Sequence, residues 1–97
     1  MYPQVAKLVS SEEVIGYFNE STDFYTITYP IRAVMVGNGN VQFVPFIATS
    51  DAESIDISKR HIMTVTELDV ETAKTYEKVV EQMKAPNVII PDNKLVL

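Results

Sequence analysis

The residues of this chain that could do chemistry are a cationic cluster and an aromatic pair. Lys59, Arg60 and His61 are consecutive, and Phe24 and Tyr25 are adjacent near the start of another apolar run. Cationic side chains can bind anionic groups, and flat rings can stack on other flat rings. Each group also has a simpler interpretation, because short cationic clusters are commonly solvated turns and adjacent aromatics commonly pack in cores or interfaces.

Neither an active site nor a metal or cofactor site is indicated by the remaining polar residues. His61 is the only histidine, and the sequence fixes no serine or carboxylate near it as a partner for catalysis. The chain has no cysteine, which excludes disulfides and thiolate metal sites. Asp51, Glu53 and Asp56 match no calcium-loop spacing, and no lysine, serine or threonine follows residues 37–40 to hold a phosphate. We therefore expect a protein that is not an enzyme and that needs no metal or cofactor.

Charge and length narrow the class further. The chain has 97 residues with a net charge of −5, which fits one acidic domain. Acidic character argues against a protein that coats duplex DNA through phosphate contacts. No signal peptide is visible and no apolar run approaches the ~18 residues of a membrane span. We expect a cytoplasmic protein with neither membrane nor duplex DNA as a partner.

Short strands dominate the first two thirds of the chain. Gly16 lies inside one run, where a glycine usually marks a bend, a bulge or a close backbone approach. Pro30 and Pro45 interrupt others, and each predicts a strand end, a bulge or an edge position. The runs rich in apolar and β-branched residues are 4–9, 13–19, 24–29, 31–36, 41–48, 55–58 and 62–67.

A hairpin and a helix complete the pattern. Asn38-Gly39 predicts a tight β-turn, because a type I′ turn needs positive φ at both central residues. Asp69 is a plausible N-cap for a helix to about Lys84, which Ala85-Pro86 ends. An apolar stripe at helical spacing comprises Val70, Ala73, Tyr76 or Val80, and Met83.

This order of elements predicts a mostly β fold in which short antiparallel strands form a small barrel or a closed, highly curved sheet. One C-terminal helix follows the strands. The alternative is a split α+β layer with the helix on one face of the sheet.

The stretch KLVSSEEVIGYF, residues 7–18, resembles the first motif of the Sm-like (LSm) proteins. That motif places a leucine, a turn, an apolar residue and a glycine at fixed spacing, and its glycine bends the second strand. Ser11 departs from it, since the family usually has glycine there. The residues in register with the motif are Leu8, Ser11, Val14, Gly16 and Phe18.

A second stretch, ISKRHIMTV at residues 57–65, is similar to the second Sm motif. Eukaryotic and archaeal members carry Arg-Gly there, whereas the bacterial relative Hfq has Lys-His. Lys59-Arg60-His61 without glycine is closer to the bacterial form. Residues 33–54 are long and apolar for the corresponding family loop. As a short acidic chain, this sequence resembles divergent Sm-like proteins of phage origin, which would place it in a host cytoplasm.

The resemblance implies a specific fold and assembly. Residues 1–68 would form a strongly bent five-stranded antiparallel Sm-like barrel, residues 69–85 a C-terminal helix and residues 86–97 an apolar tail. Sm-like domains form rings in which an open strand edge of one subunit pairs with the next. The apolar triplets 88–90 and 95–97 would be awkward on a monomer. We expect a cyclic homo-oligomer.

The resemblance also implies a binding site for single-stranded RNA. By position, Tyr25 or Phe24 would stack on a base, and Asp23 and Thr26 would accept or donate hydrogen bonds. The cationic residues would supply positive charge once per subunit; they are Lys59, Arg60 and His61. The expected function is RNA chaperoning or scaffolding of RNA processing. The alternative is an oligomeric scaffold or protein-interaction module that has lost RNA binding.

Overall fold

The computed structural model describes residues 2–47 and 52–84. These residues form a mostly β fold with one C-terminal helix, as the sequence predicts. The sheet has six strands rather than the predicted five, and no pairing between its end strands closes it within the described ranges. The elements are β1 (Gln4–Leu8), β2 (Glu13–Glu20), β3 (Phe24–Met35), β4 (Val41–Pro45), β5 (Ser54–Ser58), β6 (Ile62–Glu67) and α1 (Val70–Lys84).

The long strand β3 organises the sheet. All pairings are antiparallel, and the main path runs β4-β3-β2-β1-β6. Along its other side, β3 pairs with β5 through its first half, from Phe24 to Thr28, and with β4 through its second half, from Ile31 to Met35. A single strand with two successive partners on one side must change direction between them.

That change of direction falls opposite Gly16. Ile15 lies opposite Ile31, but Tyr17 lies opposite Thr28, so the register of β2 against β3 shifts by one residue across Gly16. A shift of this kind is a β-bulge, which bends the strand and increases its twist. The predicted role of the mid-strand glycine is confirmed.

Close approach of the two strands explains why this position is glycine. A Cβ atom on Gly16 would lie 2.4 Å from Ile27 Cγ2 and 2.9 Å from the backbone oxygen of Thr28. On the opposite strand, Tyr29 has a positive φ of 53° and is followed by Pro30. The extra residue in β3 therefore takes up a conformation that an ordinary strand residue avoids.

The bulge also reverses the alternation of side chains along β3, so this strand contributes to a hydrophobic core on each face of the sheet. Tyr25 and Ile27, before the bulge, contact an inner cluster, whereas Ile31 and Ala33, after it, contact an outer cluster under α1. Strands from both ends of the sheet contribute to the inner cluster, as a strongly curved sheet requires. The buried inner residues are Ala6, Leu8, Val14, Phe18 and Ile27, and the buried outer residues are Ile15, Ile31, Tyr76 and Val80.

Tyr76 attaches α1 to the bulge. Its side chain is fully buried, and its hydroxyl donates to the backbone oxygen of Tyr29 at 2.8 Å and lies 3.3 Å from that of Thr28. The Tyr17 ring packs edge-on against it at 5.4 Å between centroids. Burial, followed by the neighbouring tyrosines, raises the pKa of Tyr76 far above its ordinary value, so the hydroxyl keeps its proton.

The predicted hairpin and helix start are confirmed. Asn38 and Gly39 have φ of 71° and 75° between β3 and β4. Pro45 lies in β4, which pairs only with β3 among the described strands and is therefore an edge strand, as predicted. Asp69 caps α1 by accepting from the Thr72 amide at 2.8 Å, and this hydrogen bond lowers the pKa of the Asp69 carboxyl.

The apolar stripe of α1 is narrower than predicted. Ala73, Tyr76 and Val80 are buried against the sheet, but Val70 and Met83 are exposed. A helix lying on one convex sheet face needs only this narrow strip of contact. The predicted helix stop and the apolar tail lie outside the described residues.

Candidate nucleic-acid interface

Register brings the two candidate segments together. The start of β3 lies directly beside the end of β5, although the two are separated by about thirty residues of chain. The residues at the start of β3 therefore lie beside the cationic cluster that follows β5. The paired positions are Phe24 with Ser58, Tyr25 with Ile57, and Thr26 with Asp56.

Backbone hydrogen bonds fix the two loops against each other. The Lys59 amide donates to the backbone oxygen of Asp23 at 3.0 Å, which ties the cationic cluster to the turn before β3. Lys59, Arg60 and His61 form one turn of 3-10 helix, and the Arg60 amide donates to the Ser58 hydroxyl at 3.3 Å. The cluster is therefore held in a defined position rather than on a long loop.

The two aromatic side chains have different environments. Tyr25 is partly buried against the inner core and packs edge-on against Phe18, with 5.7 Å between ring centroids. Phe24 is on the opposite face of the strand and is 37% exposed. Successive side chains of a strand point to opposite faces, so only one of the two rings is directed to the core, and Phe24 is the more accessible of the two stacking candidates.

The Lys59 ammonium group already contacts a carboxylate and an aromatic ring of the same chain. Its Nζ atom lies 2.6 Å from Glu20 Oε2 and 5.4 Å from the centroid of the Tyr25 ring. A cation over an aromatic face is attracted to it, and the carboxylate neutralises much of its charge. A phosphate group would have to compete with Glu20 for this ammonium.

The Thr26 hydroxyl also has a hydrogen-bond partner in the same chain. Its hydroxyl donates to Asp56 Oδ1 at 2.7 Å, across the β3–β5 pair. The hydroxyl oxygen keeps acceptor capacity, and the second carboxylate oxygen of Asp56 could accept from the edge of a base. The pair thus offers acceptors rather than donors.

Arg60 and His61 are the accessible cations of the cluster. Both are exposed, and no described residue accepts a hydrogen bond from either side chain. The backbone oxygen of His61 accepts from the Val9 amide at 2.9 Å. A shallow cavity of about 370 Å³ lies beside His61, between Val9, Phe46 and the end of β5.

The local charge balance is slightly negative. Lys59 and Arg60 are the fixed positive charges, and Glu20, Asp23 and Asp56 are the carboxylates around them. Arg60 must therefore supply most of the attraction for a phosphate, against these three carboxylates.

Glu20 and Asp56 are the two neighbours that sequence reasoning missed. Glu20 ends β2 and reaches Lys59, whereas Asp56 faces Thr26 from β5. Neither contact has a local sequence signal, because both follow from strand register between distant segments. Asp56 drew notice only as a possible metal ligand with Asp51 and Glu53, and Asp51 lies outside the described residues.

Known proteins do not help to interpret this surface. A scan against models of protein families found no match, and a search of curated proteins found no similar sequence. Within residues 2–47 and 52–84, no three histidine, cysteine or acidic side chains are grouped so that they could hold a metal ion. The one described α-helix is too short and too polar to cross a membrane.

Proposed function

We propose that this protein is a ring-forming Sm-like protein that binds single-stranded RNA, as an RNA chaperone or a scaffold for RNA processing. The observation that carries the proposal is the pairing of β3 with β5, which places Phe24 opposite Ser58, a residue close in sequence to Arg60 and His61. Stacking face, hydrogen-bonding groups and cations are the components that single-strand recognition needs. Its site of action would be the cytoplasm, or a host cytoplasm if a phage encodes it.

The form of the sheet supports the Sm-like part of the proposal. The family bends its second strand at a glycine, and in this chain Gly16 of β2 lies opposite the bulge in β3. Lys59, within the second stretch that resembles an Sm motif, donates its amide to the backbone oxygen of Asp23, which follows the first stretch by five residues. These features favour a barrel-like closure of the curved sheet.

Open strand edges support self-association. Among the described strands, β4 and β5 each pair only with β3, and β6 pairs only with β1. Unpaired edges are a template for another strand, and rings remove them. Met63 on β6 is 66% exposed, which adds apolar surface at one of these edges. A monomeric mass by light scattering at micromolar concentration would refute the ring.

RNA binding is tested by fluorescence anisotropy with short U-rich and A-rich strands. If two phosphates are contacted, affinity should fall roughly sevenfold between about 50 and 200 mM salt. Lys59→Ala/Arg60→Ala should weaken binding and reduce this salt dependence. Lys7→Ala is the matched control, because Lys7 is an exposed lysine that pairs with Glu13 outside the surface.

Glu20→Gln gives a sharper test, since it frees Lys59 from its ion pair. If Lys59 can reach a phosphate, this variant should bind RNA more tightly than the wild type. Phe24→Ala should weaken binding by about 1–3 kcal/mol if its ring stacks on a base. Unchanged affinity in both variants would remove this surface from the proposal.

The second candidate is an oligomeric scaffold that has lost RNA binding. It is favoured by the excess of carboxylates around the cationic cluster and by the Lys59–Glu20 pair. No detectable RNA binding at roughly 50 µM protein, a concentration within the range of typical non-specific dissociation constants, together with an assembled mass, would favour this candidate over the first.

A further inference from the structure

An apolar groove lies beside the β3 bulge, between β4, β5 and the end of α1. It forms because β4 and β5 pair with different halves of β3 and leave a gap between them, which the end of α1 borders. Its volume is about 640 Å³. Among its apolar lining residues are Phe43, Phe46, Ile47, Ile55, Val79 and Met83.

The groove exposes apolar surface that water would disfavour. Ile47 is 44% exposed and Met83 is 46% exposed, although both face the same depression. Glu53 and Lys84 are the charged residues that line it. A contiguous apolar groove with so few charges is typical of a surface that another segment covers.

The chain itself provides a suitable segment. The described helix ends at Lys84, which lines the groove, and thirteen residues follow. Val88, Ile89 and Ile90 begin four residues later, a reach of roughly 13 Å if extended. These three residues are β-branched and uncharged, so they suit an extended segment on an apolar surface.

We propose that Val88, Ile89 and Ile90 dock in this groove of their own chain. The tether from Lys84 makes docking intramolecular, so it avoids the loss of translational freedom that a second copy would incur. The segment covers the exposed parts of Ile47 and Met83 and fixes the end of α1 against β4 and β5. The proposal is independent of RNA binding.

The absence of cysteine from the sequence allows a clean disulfide test in the full chain. Ile47→Cys is combined in turn with Val88→Cys, Ile89→Cys and Ile90→Cys, and each pair is oxidised mildly. Docking predicts that at least one pair forms an intramolecular disulfide, seen as a monomer by non-reducing electrophoresis and by mass. Disulfide-linked dimers as the main product would show that the segment docks on a second copy, and would overturn the proposal.

Proximity alone could also link two cysteines on a short tether, so a matched variant is needed. Adding Ile90→Asp to Ile47→Cys/Ile89→Cys leaves the tether length unchanged, but its charge disfavours docking of the segment in the apolar groove. Docking predicts that the linking rate falls about fivefold or more, the effect of roughly 1 kcal/mol. Asn93→Asp, which adds the same charge outside the triplet, should leave the rate unchanged. Equal rates in the two variants would overturn the proposal.

A thermal measurement without cysteines completes the test. Ile89→Asp should lower Tm by roughly 5 °C, whereas Asn93→Asp should not. If Ile89→Asp has no effect on Tm, and Ile47→Cys/Ile89→Cys links no faster than the same pair with Ile90→Asp, the groove is covered by something other than this segment.

Discussion

Gly16 permits a close approach of β2 to β3, and this sets what a substitution there costs. Gly16→Ala would place a methyl group 2.4 Å from Ile27 Cγ2 and 2.9 Å from a backbone oxygen, which the packed bulge cannot accommodate without moving. We expect a loss of about 2–3 kcal/mol in the free energy of unfolding, measured by urea denaturation.

Gly37→Ala is the matched control. No atom lies within 4 Å of a Cβ atom built at Gly37, so the same change in chain entropy occurs without a clash. It should alter stability by less than about 1 kcal/mol. A comparable loss in both variants would mean that the approach at Gly16 is not the determining contact.

The Tyr76 hydroxyl stabilises the bulge from the other side of the strand. Tyr76→Phe removes its donation to the backbone oxygen of Tyr29 and should cost about 1–2 kcal/mol, measured by urea denaturation. Tyr2→Phe also removes a hydroxyl that donates to a backbone oxygen, that of Leu68, but on an exposed side chain. It should cost less than about 0.5 kcal/mol.

Tyr76 also predicts how stability changes at alkaline pH. Burial raises the pKa of Tyr76 in the folded state above the ordinary value of 10.0, so the unfolded chain loses this proton first. The protonated Tyr76 hydroxyl therefore contributes fully to the free energy of unfolding below about pH 10. This contribution is lost as the pH rises, by up to about 1.4 kcal/mol per pH unit. Tyr76→Phe should reduce this slope without abolishing it, because the pKa of Tyr17 is also raised. An unchanged slope would contradict the assignment.

At the scale of elements, α1 depends on its first turn. The Asp69 carboxylate accepts from the Thr72 amide and hydroxyl, and these bonds lower the pKa of Asp69. Because the pKa of Asp69 is lowered by folding, its carboxylate stabilises the folded state fully when the pH is above the ordinary pKa of 3.8. This stabilisation is lost as the pH falls through the folded-state pKa. Asp69→Ala should lower Tm at neutral pH, and the difference from wild type should shrink in acid. Asp69→Asn, which keeps an acceptor, should retain most of the neutral-pH Tm.

Local signals predicted most of these elements. The Asn38-Gly39 turn, the bend at Gly16 and the Asp69 cap each depend on the conformation or hydrogen bonding of a few consecutive residues, which sequence carries directly. Most strand ranges follow from runs of apolar and β-branched residues for the same reason, although the predicted runs 24–29 and 31–36 form the single strand β3. The width of the buried stripe on α1 was not predicted correctly, because it depends on how much of the sheet the helix contacts.

Pairing between distant strands could not be predicted in this way. The Asn38-Gly39 turn predicts that β4 pairs with the second half of β3, but nothing in residues 24–35 states that β5 pairs with the first half, because β5 begins only at Ser54. The reversal of side-chain alternation at the bulge depends on the same pairing. The contact between Lys59 and Glu20, which decides how much charge the candidate interface offers, follows from it as well.

At the scale of the whole molecule, negative charge opposes the proposed assembly. Each chain carries a net charge of −5, so a ring would bring several like-charged subunits together. Salt screens such repulsion, with a Debye length of about 30 Å at 0.01 M and about 3 Å at 1 M. An apolar and backbone-paired interface is otherwise little affected by salt. We therefore expect assembly to strengthen as salt rises, whereas RNA binding weakens.

Sedimentation velocity at about 20 and 500 mM sodium chloride, a range over which the Debye length shortens several-fold, measures the first trend on the protein alone. A larger assembled fraction at high salt is the expected result, and Glu20→Gln, which removes one negative charge, should assemble more readily at low salt. Assembly that weakens with salt would instead mean that ion pairs across the interface hold the subunits together. In that case the unpaired strand edges would not be the principal contact, because hydrogen bonds between backbones carry no net charge to screen.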